Sequence, residues 1–112
     1  MIFFDAHLDL AWNALDWNRD LRLPLSKIRE RELAENATEF KARGRNTVSF
    51  PELRRAEAVI VIATLLPRLY RPNLMPAIQR YSTMEAAYGA ALGQLGYYRA
   101  MEQAGQLFWI KN

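Results

Sequence analysis

The chemistry in this chain is concentrated at its start. Its one histidine is His7, and its four aspartates, Asp5, Asp9, Asp16 and Asp20, all fall within the first twenty residues. Side chains two apart on an extended strand point to the same face, so Asp5, His7 and Asp9 can project together from a strand that ends near them. A neutral imidazole and a carboxylate at this spacing can grip one divalent cation, and Asp5 can orient the imidazole from behind. A cation so held lowers the pKa of a bound water and polarises a substrate carbonyl. The same triplet also reads as the opening of a surface loop with Asp5 paired to an arginine, because H-x-D alone is a short pattern. The chain has no cysteine, so thiolate sites, disulfides and cysteine nucleophiles are excluded and any metal rests on imidazole and carboxylate.

These residues need elements to position them. Ile2-Phe-Phe-Asp-Ala6 is an apolar run rich in β-formers, which predicts a buried strand ending near His7. Leu8 to Trp17 has apolar residues at helical spacing and predicts one or two turns before Asn18. One helix is expected between Leu21 and Gly44, with Pro24 near its start, good helix formers from Ser26 to Glu39, and Gly44 as its stop. Ser49-Phe-Pro-Glu52 has capping-box form and predicts a short helix to about Glu57. Ala58 to Leu66 is an uninterrupted apolar run dominated by β-branched residues, which predicts a strand buried on both faces.

Pro67 to Gln79, with three prolines, predicts a loop. Ser82-Thr-Met-Glu85 is a second capping box. The helix after it places Met84, Ala87, Tyr88, Ala91, Leu92, Leu95, Tyr98 and Met101 on one apolar stripe and ends at Gly105. Leu107-Phe-Trp-Ile110 is a third apolar β run. Alternation of strand and helix predicts an α/β fold of about three parallel strands with intervening helices and right-handed crossovers. No helix follows the third run, so the chain reads as part of a longer repeating pattern.

Other residues offer weaker chemistry. Arg68 and Arg71 can bind a substrate carboxylate or serve as solvated loop charges. Trp12 and Trp17 can line a substrate mouth or cover a core. Gly89, Gly93 and Gly96 lie inside a helix, which excludes a dinucleotide fingerprint and predicts close helix packing. A length of 112 residues, 51% of them hydrophobic, suits one domain or part of one. The net charge of +3 is spread among acids, as in Lys27-Ile-Arg-Glu-Arg-Glu-Leu33, so that segment reads as a solvated helix face and no nucleic-acid partner is expected. The start lacks a basic region followed by a long apolar one, so no secretory signal is read and the cytoplasm is the expected compartment. The longest uncharged run, Ala86 to Tyr98, falls short of the ~20 residues a membrane span needs.

The segment Phe3-Phe-Asp-Ala-His-Leu-Asp-Leu10 resembles the opening of the membrane (renal) dipeptidase family of zinc metallopeptidases, which typically begins with D-G-H-N-D. Val48-Ser-Phe-Pro-Glu-Leu-Arg-Arg-Ala56 before a hydrophobic strand is similar to that family's second β/α unit, and Leu95-Gly-Tyr-Tyr98 before the third run also looks similar. The resemblance implies a TIM-like (β/α)8 barrel holding two zinc ions and hydrolysing dipeptides by a metal-activated water. It makes His7 and Asp9 ligands of one zinc and Asp5 a supporting carboxylate. Ala6, Leu8 and Ala11 stand where the family has glycine, asparagine and proline, which suggests a divergent bacterial-type branch. The family's bridging glutamate and its further histidines lie on later strands, whereas here no acid follows Glu102 and no histidine follows His7. A barrel takes eight strands and about 250 residues. The resemblance therefore implies an N-terminal portion, inactive alone, that associates with the missing barrel portion or with copies of itself. The rival expectation is a small non-catalytic α/β interaction or oligomerisation module whose sheet edge pairs with a partner.

Overall fold

The computed structural model describes residues 3–35, 43–68 and 80–111. In chain order its elements are β1 (Phe3–Leu8), α1 (Leu10–Asp16), α2 (Leu25–Ala34), α3 (Phe50–Arg55), β2 (Ala58–Ala63) and α4 (Met84–Gln103). The strands pair in parallel as a two-stranded sheet, so the class is mixed α/β. The chain divides into two compact units, Met1–Ala6 with Arg19–Ile62 and His7–Asn18 with Ala63–Asn112. No helix among the described residues is long and apolar enough to cross a membrane.

In the first unit, Leu21, Ile28 and Phe50 form the apolar core, and the Phe50 N–H donates to the Leu21 carbonyl at 2.8 Å. Pro24 is the N-cap of α2, as its fixed φ suits. The helix ends at Ala34, before the expected stop at Gly44, and residues 36–42 lie outside the described part. Gly44 does not stop it. Its φ of +69° makes a separate left-handed turn, and its N–H donates to Glu32 Oε2 at 2.6 Å. Ser49 is the N-cap of α3 by backbone position, but its buried hydroxyl has no hydrogen-bond partner among the described residues, so the expected capping box is absent.

Glu32, read from sequence as part of a solvated face, is buried beside Ile28, one helical turn earlier. Arg19 Nε donates to its Oε1 at 2.7 Å, and Arg43 Nη1 reaches the same oxygen at 3.0 Å. Burial works to raise the Glu32 pKa, but hydrogen bonds from Arg19, Gly44 and Arg43 outweigh it and hold the carboxyl below its usual range.

In the second unit α1 packs against α4, burying Leu10, Ala11, Ala14, Trp17, Gln94 and Tyr98. Asn18 at φ 51° follows the C-cap of α1, a left-handed position that asparagine tolerates better than most residues. The N-cap of α4 is Thr83, one residue later than the expected box. Its hydroxyl accepts from the Ala86 N–H at 3.2 Å. Gly105 ends the unit's long helix as expected. At φ +68° it completes a Schellman turn in which the Gln106 N–H donates to the Met101 carbonyl and the Gly105 N–H to that of Glu102.

Four expectations are corrected. Phe3, Phe4 and Ile62 are exposed, because the two-stranded sheet lacks the double cover that a parallel sheet normally has. Leu107 to Ile110 forms no strand. The Trp109 N–H donates to Glu102 Oε1 at 3.1 Å instead of joining a ladder, and Phe108 and Ile110 are 84% and 73% exposed. Gly89, Gly93 and Gly96 do not mark close helix packing, since a Cβ added at each meets nothing within 4 Å. Only one side of the expected α4 stripe is covered. Tyr98 is buried, while Met84, Tyr88 and Leu92 face outward.

Candidate metal centre

At the C-terminal end of β1 the chain turns directly into α1. His7 lies on the last turn of the pleat and Asp9 is the N-cap of the helix. The backbone of Asp9 does its capping work, its carbonyl accepting from the Asn13 N–H and from Asn13 Nδ2, each at 3.0 Å. Its side chain makes no cap hydrogen bond. The carboxylate points instead to His7, whose Nε2 lies 3.3 Å from Oδ1, and accepts a hydrogen bond from the Thr64 hydroxyl. The two side chains differ in exposure, 70% for His7 and 26% for Asp9, so the pair opens toward solvent from the imidazole side.

Asp9 is free of capping because α4 takes over that task. The Ala11 N–H, one of the unsatisfied donors of the first turn of α1, donates to the buried Tyr98 hydroxyl at 3.1 Å. That hydroxyl in turn donates to the Thr64 carbonyl at 2.9 Å. One turn earlier on the same helix, Gln94 pairs with Leu66 at both ends. Its Oε1 accepts from the Leu66 N–H at 2.6 Å and its Nε2 donates to the Leu66 carbonyl at 3.1 Å. The last ladder bond from β1 is Thr64 N–H to Leu8 carbonyl at 3.2 Å. Beyond it, Tyr98 and Gln94 satisfy the backbone that β1 abandons when it turns into α1. Burial pushes the Tyr98 phenol up, with the Asp9 charge adding to the shift, so it stays protonated and able to donate.

The sequence expectation named His7 and Asp9, and these two come together. Asp5 is half-buried in the middle of β1 and belongs to the first unit. Thr64, Gln94 and Tyr98 were missed as supporting groups. The signals were faint: Thr64 is the one hydroxyl in an apolar run, and Gln94 is an amide in the middle of the long uncharged stretch of α4.

The spacing of the pair suits a direct imidazole–carboxylate contact and is also compatible with two ligands of one ion. Two ligands at about 2.0–2.1 Å from a tetrahedral ion stand about 3.3 Å apart, and the imidazole nitrogen and carboxylate oxygen are 3.3 Å apart here. Among the described residues no group of three or more histidine or acidic side chains could hold an ion together. The pair offers two donors, one short of the three protein ligands usual for a catalytic zinc.

A second constellation borders α1. The Arg68 guanidinium lies over the Trp12 ring, 4.6 Å from its centroid, and Trp12 meets Trp17 edge to face at 5.7 Å. Trp17 is core, whereas Trp12 is half-buried beneath the arginine. The Tyr81 N–H donates to the Arg68 carbonyl at 2.9 Å. Burial pushes the Asp16 carboxyl up, and the positive charge of Arg68 works against that rise. Arg71 lies outside the described residues. Compared with protein families, curated proteins and solved structures, the chain matches none.

Proposed function

We propose that this chain is the N-terminal portion of a zinc-dependent dipeptidase built on a TIM-like barrel, with His7 and Asp9 as two ligands of one zinc. The observation that carries this reading is the 3.3 Å convergence of His7 Nε2 and Asp9 Oδ1, with the carboxylate turned from the helix it caps and held by Thr64. Support also comes from position, since barrel enzymes place their sites at the C-terminal ends of parallel strands. A zinc ion, when bound, supplies Lewis acidity and a water acidic enough to attack a peptide carbonyl. The chain's own part is to present the two donors, with Thr64 fixing the carboxylate as a hydrogen-bonded outer partner. Two protein ligands fall short of the usual three, so the chain alone holds zinc weakly and does not turn over substrate. Association with the remaining barrel portion would complete the shell and cover the exposed sheet.

Calorimetric titration with zinc tests this. Weak binding by the native chain, lost in both His7→Ala and Asp9→Ala, is the expected outcome. Binding that survives both substitutions would refute the assignment, and dipeptide hydrolysis by the isolated chain would refute its incompleteness.

The second reading is a non-catalytic module that associates through apolar surface. It is favoured by the exposure of Phe108 and Ile110 next to that of Trp109. A stable zinc-free oligomer, unchanged by His7→Ala, would support it over the first.

A further inference from the structure

We infer that the outward face of α4 docks a second copy of this chain, as an antiparallel helix pair with its two-fold axis at Leu92. The inference goes beyond both readings of function, since it asks nothing of the metal pair or of the apolar run at residues 107–110.

Helical spacing and the packing of the unit define the face. α4 turns Gln94 and Tyr98 inward. On its other side Glu85, Tyr88, Gly89, Leu92, Gly96 and Arg99 lie within about 60° of the Leu92 direction, at ~100° per residue. All six are exposed. Tyr88 and Leu92 are 67% and 48% exposed, two large apolar side chains facing solvent in the middle of a helix face. From Ala86 to Tyr98 the helix carries no charge.

Charge and shape both choose the occupant. Glu85 and Arg99 bracket the uncharged stretch and stand 14 positions apart, about 21 Å along the axis, too far to meet within one helix. Among the described residues neither has an ion-pair partner. A parallel copy would set acid against acid at one end and arginine against arginine at the other. An antiparallel copy centred on Leu92 sets each Glu85 beside the partner's Arg99, at both ends. The same register lays each Tyr88 over the partner's Gly96, a position where an added Cβ meets nothing within 4 Å, so the ring fills the space that the glycine leaves open. Leu92 meets the partner's Leu92 on the axis. One register thus satisfies charge and size together, and a two-fold contact closes on itself as a dimer. The face is one helix wide, so the pair buries far less than the ~800 Å² per partner of a standard interface and is weak.

The test traps the pair chemically. The chain has no cysteine, so Leu92→Cys introduces a single thiol on the axis. Gln103→Cys introduces one on the same face that an antiparallel pair holds about 33 Å from its mate, far beyond disulfide reach. Disulfide formation with diamide is followed by non-reducing electrophoresis. The expected result is a cross-linked dimer from Leu92→Cys at a rate at least tenfold that of Gln103→Cys. Adding Glu85→Arg to Leu92→Cys is expected to slow cross-linking at least threefold, and adding Arg99→Glu as well is expected to restore it. Recovered helix stability cannot account for that restoration, because Glu85→Arg leaves a cation in the first turn of α4 with or without Arg99→Glu. Circular dichroism verifies that each variant is folded. Equal rates for the two cysteine variants overturn the proposal, as does faster cross-linking of Gln103→Cys, which would report a parallel pair or docking through residues 107–110. Failure of Arg99→Glu to restore the rate overturns it too.

Discussion

At the scale of single residues, the site depends on a division of labour between Asp9 and Tyr98. An aspartate at an N-cap usually spends its carboxylate on the first turn, a contribution of about 1 kcal/mol. Here the Tyr98 hydroxyl serves the Ala11 N–H, and the Asp9 carboxylate is left for Thr64 and His7. Tyr98→Phe keeps the ring but strands two buried backbone groups, so a loss of about 1–3 kcal/mol is expected in urea unfolding. Asp9→Ala removes no cap bond, only the carboxylate's contacts with Thr64 and His7, and should lower the unfolding midpoint less than Tyr98→Phe does. That His7 and Asp9 lie together was legible in the sequence because the one imidazole and a carboxylate sit two residues apart. Tyr98 was not legible as a partner of this site, since its role comes from a contact across 87 residues that no local pattern encodes.

At the scale of elements, the helices were easier to read than their ends. Periodicity and proline placed α2, α3 and α4, but caps depend on which hydroxyl meets which N–H. Among the described residues Ser49 is buried without a hydrogen-bond partner, and Thr83 displaces Ser82, for this reason. Glu32 shows the same limit, because a charged residue at an i+4 position from Ile28 is read as solvated until its arginines are located. Glu32→Gln leaves Arg19 buried without its counter-charge and is expected to cost about 3–5 kcal/mol in chemical denaturation. The pH dependence follows from the lowered folded-state pKa: the carboxylate stabilises the fold above the ordinary value of 4.5, and that stability is lost as pH falls through the lower folded value. In Glu32→Gln this segment of the acid-unfolding profile should flatten. On α4, Gly93→Ala meets no neighbouring atom and should raise stability by about 0.5–1 kcal/mol in thermal or urea unfolding. A fall in stability instead would mean that another surface packs on that face.

At the scale of the whole molecule, alternation of strand and helix was enough to read parallel α/β structure, and the two strands pair as that pattern requires. The third apolar run could not be settled from its composition, because β-forming residues become a strand only where a ladder accepts them. Phe108 and Ile110 therefore face outward. Large exposed apolar surface promotes association. Sedimentation velocity should show concentration-dependent association of the native chain, reduced in a Phe108→Ser, Ile110→Ser double variant. A native chain that stays monomeric at high concentration would count against the module reading. The rungs that Gln94 and Tyr98 extend from α4 to residues 64–66 have a mechanical meaning as well. They couple the long helix to the strand end whose threonine holds Asp9, so a force that slides α4 along its axis also displaces the carboxylate. The helix is in this sense a lever on the site, and its outward row of Met84, Tyr88 and Leu92 is where such a force would be applied.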